Sequence, residues 1–134
     1  MSNIRIRDAA GLLGVSDDTV RRWIDSGSLA AHVDESGRKV IAGEVLAAFA
    51  RDQATSPPDP VGVASSARNR LVGLVTKVTV DGVMAEVQMQ CGPFGVVSLM
   101  SANSARDLGL EAGKVAVAVV KATNVIIETS GGTS

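Results

Sequence analysis

The run Gln53-Ala54-Thr55-Ser56-Pro57-Pro58-Asp59-Pro60 cuts this 134-residue chain near its middle. It has no apolar periodicity, and its three prolines favour an extended, semi-rigid connection. The chain is therefore expected to form two small units: residues 1–51, then a linker over 52–64, then residues 65–129. The last stretch, 130–134, contains only Gly, Ser and Thr and is expected to be a disordered tail. Each unit lies near the lower size limit for a domain with its own core, so both should gain stability from partner subunits. Aliphatic residues are abundant, while two Phe and one Trp are the only aromatics. That composition suits an oligomer with Val, Leu and Ala interfaces and leaves little for base stacking.

A single cysteine, Cys91, excludes a disulfide within the chain and any Cys-rich zinc site, and it fits a reducing cytosol. The longest aliphatic run, Val115 to Val120, is far too short to span a bilayer, and Met1 to Leu13 has no apolar signal core. A cytoplasmic location is expected. The net charge is -1, with seven Lys/Arg against seven Asp/Glu from Met1 to Arg51 and six against five from Ser65 to Thr129. Neither half is a strong polyanion binder overall, so any contact with DNA requires basic residues gathered on one face or several copies binding together.

In the first half, Ile6 to Leu13 carries apolar residues at helical spacing, Gly14-Val15-Ser16 interrupts the pattern, and Asp17 to Asp25 resumes it with Val20, Trp23 and Ile24 on one face. Ser16 is a good N-cap, and Asp17 and Asp18 complement the positive end of the helix dipole. Gly27 stops the second helix. Asp34-Glu35-Ser36-Gly37 then forms a turn between apolar ends, which predicts a two-stranded wing over Leu29 to Ile41, and a third helix is expected from Gly43 to Arg51. The segment Val15 to Leu29 resembles the MerR and excisionase group of DNA-binding domains. That resemblance implies that Ser16, Thr19, Arg21 and Arg22 lie at the duplex, with Arg38 and Lys39 of the wing on phosphates. An exposed arginine pair is also an ordinary solubilising feature. Moreover, a domain without net positive charge gains little from counterion release unless avidity helps.

The second half is rich in β-branched residues. Leu71 to Val80, the hairpin signal Asp81-Gly82 and Val83 to Val87 begin a meander. Further strands are predicted at Val96 to Met100, Val115 to Val120 and Val125 to Glu128, with a short helix around Ser104 to Leu108. Five strands and one short helix suit an OB-like barrel, which makes the whole chain α+β, a winged helix-turn-helix followed by a five-stranded barrel. Cys91, within Gln90-Cys91-Gly92-Pro93, reads as an inert turn residue.

The ordered landmarks of this half are Ser66-Ala67-Arg68-Asn69, then Ser101 and Ser104, then Leu108-Gly109-Leu110 with Gly113-Lys114, and finally Lys121-Ala122. Together they resemble the molbindin (Mop/TOBE) family of molybdate-binding domains. The resemblance implies side-chain donors at Ser66, Arg68, Ser101, Ser104 and Lys121, and backbone N–H donors at Ala67 and Ala122. The ligand would be preformed molybdate or tungstate, with no free metal cation bound. A buried dianion needs charge-assisted donors of this kind, and Arg68 and Lys121 would balance its charge. Taken singly, Lys121 also reads as a solvated strand-end lysine, Arg68 as a surface cation, and Ser101 and Ser104 as helix caps. Ser101 stands where the family commonly has threonine. Asn69 reads as structural. The family also implies hexamers with the anion between subunits.

A DNA-binding unit joined to an oxyanion unit implies a molybdate- or tungstate-responsive transcriptional regulator acting on an operator duplex. The alternative is a cytoplasmic molybdate store whose first domain serves assembly or partner docking. There is no acid/base pair, nucleophile constellation or phosphate-cradling glycine loop, so an enzyme is not expected.

Overall fold

The computed structural model describes residues 2–62 and 65–130, which fall into two compact units, Met1–Thr55 and Ser56–Ser134. Of the expected tail over 130–134, residues 131–134 lie outside the described residues, as do the linker residues 63 and 64.

In the first unit, strand β1 (Asn3–Arg5) leads directly into helix α1 (Ile6–Leu13), followed by α2 (Asp17–Asp25), strands β2 (His32–Val33) and β3 (Lys39–Ala42), and helix α3 (Gly43–Gln53). Gly14 ends α1 with a φ of 69°, a left-handed position that glycine occupies without steric cost. Ser16 starts α2 by accepting the Thr19 N–H on its hydroxyl. The helical spacing of the sequence buries Ile6, Ala9, Ala10 and Val20 against Leu29, Ile41 and Leu46. Trp23 and Ile24 pack on this core as expected, and Trp23 meets Phe49 of α3 with ring centroids 4.9 Å apart. The wing has a third strand that the sequence reading lacked. β1 pairs antiparallel with β3 through Ile4↔Ile41, giving the order β1-β3-β2. A three-residue strand with one apolar residue, Ile4, is too short for its alternation to be seen in sequence.

The second unit is an antiparallel sheet in the order β6-β5-β4-β7, made of β4 (Asn69–Asp81), β5 (Met84–Cys91), β6 (Phe94–Ser101) and β7 (Val115–Val120). Helix α4 (Ala102–Asp107) follows β6, and a 3-10 turn over Ala122–Asn124 follows β7. Alternation on β5 turns Ala85, Val87, Met89 and Cys91 inward. Val87, Met89 and Cys91 join Val75 of β4 in the core, while Val96, Met100, Leu110 and Ala116 cover it. β4 serves two partners. Its first six residues pair with β7, and the stretch from Leu74 to Asp81 pairs with β5 across a bulge at Thr76.

The expected fifth strand at Val125 to Glu128 has no sheet partner; Val125, Ile126 and Ile127 are 43%, 85% and 84% exposed. Among the described residues the sheet is therefore four-stranded and open, with β6 and β7 as its two edges, and is not a closed five-stranded barrel. Apolar β-branched residues favour an extended chain, but a ladder also requires a neighbour to pair with. Cys91 is the buried last residue of β5, not a turn residue. Its thiol points to the Leu71 carbonyl at 3.7 Å, and the turn itself begins at Gly92.

Cys91 explains Gly73. A Cβ on Gly73 would sit 2.7 Å from the Cys91 sulfur and 2.4 Å from the Gln90 carbonyl oxygen, whereas one on Gly95 would meet nothing within 4 Å. Gly73→Ala is therefore expected to destabilise the second unit by about 1–3 kcal/mol through overpacking, with Gly95→Ala close to wild type. Denaturant midpoints of the two variants provide the check, and equal midpoints would contradict the close packing described.

Candidate functional site

In the first unit the cap of α2 does more than start a helix. The Ser16 and Thr19 hydroxyls lie 3.0 Å apart, and Arg22 Nη2 donates to Thr19 Oγ1 at 3.0 Å. Three residues expected at the duplex thus form one chain of hydrogen bonds on the exposed side of α2. Arg21 leaves the helix on a different bearing. It lines a pocket of about 230 Å³ with Ile6, Ile24, Asp25 and Lys39, which places an α2 arginine and a wing lysine around one hollow. The wing turn is set by Asp34, whose carboxylate accepts the N–H groups of Ser36 and Arg38, each at 2.9 Å, while Gly37 takes a φ of 80°. Arg38 and Lys39 follow directly and are exposed. Asp17, Asp18 and Asp25 are exposed on the same helix, so the cationic side chains stand among carboxylates and the face is mixed in sign.

In the second unit, the donors implied by the sequence fall into two groups. Antiparallel register pairs Asn69 with Val120, and the Asn69 side-chain amide donates to the Val120 carbonyl at 3.1 Å. That bond closes the strand entry, so Ser66, Ala67 and Arg68, which precede Asn69, leave the sheet at the same end as Lys121 and Ala122, which follow Val120. Ser66, Arg68, Lys121 and Ala122 are exposed and Ala67 is half-buried. Ser101 and Ser104 are elsewhere. Ser101 pairs with Met84 at the end of β6, beside the β4–β5 hairpin. It caps α4 by accepting the Ser104 N–H at 3.0 Å and donates to the Ser104 hydroxyl at 2.8 Å. The twelve steps of β4 between these ends amount to roughly 40 Å of strand. Within one chain the structure brings the Ser66–Arg68 and Lys121–Ala122 donors together and leaves Ser101 and Ser104 apart.

An ion pair that the sequence reading missed lies beside the strand entry. Arg70 Nε donates to Asp59 Oδ2 at 2.8 Å, and its Nη2 donates to the Val61 carbonyl at 3.1 Å. The Val61 N–H in turn donates to Asp59 Oδ1 at 2.8 Å. The Arg70 hydrogen bond, helped by the Val61 N–H, holds the Asp59 carboxyl below its usual range and pushes Arg70 up. The only sequence signals were a carboxylate inside a proline run and an arginine two residues after Arg68. Val61 also lines an apolar cavity of about 520 Å³, together with Val75, Met89, Val96 and Ala116. Among the described residues there is no cluster of His, Cys, Asp or Glu suited to a metal ion, and no helix long and apolar enough to cross a membrane.

Fold and site define a mixed helix and sheet protein: a helix-turn-helix unit followed by a β domain with exposed cations at one strand entry. The TOBE domain profile matches residues 65–127, and a helix-turn-helix domain profile matches residues 4–54. Over 63 residues the chain is 43% identical to molybdenum-pterin-binding protein 3 of Clostridium pasteurianum, covering 46% of this chain and 93% of that one. It is 40% identical to a probable molybdenum-pterin-binding protein of Haemophilus influenzae, covering 46% and 91%. Among solved structures, a molybdate binding protein from Sporomusa ovata is 30% identical over half of this chain and all of that one, with a TM-score of 0.48. The cytoplasmic molybdate-binding protein ModG, solved with molybdate bound, is 38% identical over 51% of this chain and 49% of that one, with a TM-score of 0.47. The chain belongs to the molbindin family of TOBE-domain proteins and carries a helix-turn-helix domain ahead of the TOBE domain. Both are non-enzymatic domain families.

The Ser16 cap generates a prediction. Ser16→Ala should cost the first unit about 1 kcal/mol, because the Thr19 N–H and hydroxyl lose their partner while the Arg22–Thr19 hydrogen bond remains. Thermal unfolding followed by Trp23 fluorescence measures this, and an unchanged midpoint would show that the cap is dispensable.

Proposed function

We propose that this protein is a molybdate- or tungstate-responsive DNA-binding regulator that senses the oxyanion in its TOBE domain. The observation that carries the reading is the Asn69↔Val120 register, which sets the Ser66–Arg68 and Lys121–Ala122 segments side by side. Arg68 and Lys121 supply two positive charges against a dianion, and Ser66 with the Ala122 N–H supplies neutral donors, which the Ala67 N–H would join by leaving the Ser65 hydroxyl that it meets at 3.1 Å. Ser101 and Ser104 would reach the same anion only from a second chain, because β4 separates them from the strand entry. Each anion would then bridge two copies, in keeping with the hexamer that family resemblance implies. The unpaired Val125–Ile127 segment and the exposed Leu74, Val97 and Leu99 supply apolar surface for such an assembly.

On the DNA side, the Ser16–Thr19–Arg22 chain presents α2 to the major groove in the MerR-like manner, with Arg38 and Lys39 on phosphates. Several copies binding at once would offset the neutral charge of a single unit. Anion and operator then affect each other's affinity reciprocally. A second reading, a cytoplasmic molybdate store, is favoured by the balance of seven basic and seven acidic residues in the first half. A duplex-selection experiment separates the two. A preferred sequence whose affinity changes with molybdate supports the regulator, and recovery of no duplex at low salt supports the store.

At about 100 times its dissociation constant, molybdate should stabilise the protein by roughly 2.7 kcal/mol. Sulfate should not, and Arg68→Ala and Lys121→Ala should each abolish the shift in a thermal melt. Bridging generates a further expectation. Arg68→Ala and Ser101→Ala chains, each deficient alone, should regain about a quarter of the wild-type sites when co-refolded in equal amounts, because one pairing in four is intact at both ends. No recovery in a mixed assembly would mean that each chain binds alone.

A further inference from the structure

We infer that the Asp59–Arg70 pair is a clasp that the bound oxyanion opens, and that its release lengthens the tether between the helix-turn-helix domain and the TOBE sheet. This deepens the proposed function and rests on it.

Asp59, Val61 and Arg70 form a closed ring of hydrogen bonds, with the two charged side chains only 24% (Arg70) and 34% (Asp59) exposed. The only other ion pair among the described residues is Arg51–Asp52, between neighbours and at 3.6 Å. The clasp sits at the strand entry: Arg70 pairs across the sheet with Val119, one step inward of Asn69↔Val120. Arg68 and Arg70 are two residues apart, the spacing that sets both side chains on one side of an extended chain. The Ser66–Arg68 donors lie in sequence between the clasp residue Val61 and the Asn69–Val120 bond.

Chemically, Asp59 is the anion already resident on a guanidinium next to the proposed molybdate donors. A tetrahedral oxyanion offers the same pair of acceptor oxygens to Arg70 with twice the charge. Once bound at Arg68 and Lys121 it repels the Asp59 carboxylate and attracts the Arg70 side chain. Exchanging one acceptor for the other frees Asp59 and, with it, the Val61 N–H and carbonyl. With the clasp closed, the tether from the end of α3 at Gln53 to the first anchored residue is Ala54 to Pro58, five residues of which two are proline. With the clasp open, it extends to Arg68, fifteen residues. At about 3.1 Å per extended residue the maximal tether grows roughly threefold, which changes the operator half-site spacings that two first domains can span.

The test measures molybdate binding by calorimetry on the full-length protein and on Asp59→Asn and Arg70→Ala variants. Competition predicts opposite signs. Asp59→Asn removes the resident anion and should tighten molybdate binding roughly three- to tenfold, while Arg70→Ala should weaken it by at least as much. A clasp that only holds the loop in shape would shift both variants the same way or neither, and either result overturns the proposal. Hydrogen exchange over residues 54–62 gives a second readout independent of affinity. Saturating molybdate should remove protection at the Val61 amide in the wild type, and retained protection would overturn the proposal. If molybdate opens the clasp but leaves DNA binding unchanged, the clasp stands and the regulator reading falls. If the wild type binds no molybdate, the oxyanion site falls and the clasp's opening falls with it.

Discussion

One strand carries the second unit. β4 spends its first half on β7 and its second half on β5, so a single run of backbone fixes both the core and the strand entry. The bulge at Thr76 marks the handover, and the turn around Lys114 is hydrogen-bonded to Val75 on either side of it, through the Val75 N–H to Lys114 and the Gly113 N–H to Val75. Register along such a strand cannot slip by one residue without turning Val75 and Val78 out of the core. The same register that buries these valines places Asn69 opposite Val120. The cations at the start of β4 and after β7 are neighbours because the hydrophobic core fixes this register.

The first unit works by a different economy. Its core is seven buried residues from both helices, the loop after α2, the wing and α3, and the start of α2 and the wing turn are set by short-range polar bonds. Ser16, Thr19 and Arg22 are held within one turn of α2, and Asp34 organises the wing turn from its first position. Such local bonds are individually modest. They shape a surface whose backbone the apolar core has already placed.

Most of this was legible in the sequence, and the exceptions share a cause. The breaks at Gly14 and Ser16 and the periodic apolar face of α2 located α1 and α2 to the residue, and β7 was equally plain from its aliphatic run. These signals are local: propensity, periodicity and caps. What escaped depends on partners distant in sequence. β1 exists because β3 is there to pair with it, Cys91 is buried because Gly73 leaves room, and Asp59 matters because Arg70 meets it. Val125 to Glu128 erred the other way, since its composition is that of a strand but it pairs with neither open edge of the sheet. For the candidate site, the residue types and their order were readable from the sequence. Their division between opposite ends of β4 was not, because only the pairing register reveals it.

The near absence of aromatic residues has a consequence for how this protein can change over time. Phe94 is the only aromatic in the second half of the chain, and the exposed apolar surface there is otherwise valine, leucine, isoleucine and methionine. Contacts between proteins usually depend on a few Trp, Tyr or Arg anchors whose loss is ruinous. A contact made from this surface would spread its energy over many small side chains, each replaceable by a similar one at little cost. Such a surface could drift in sequence and still make the same contact.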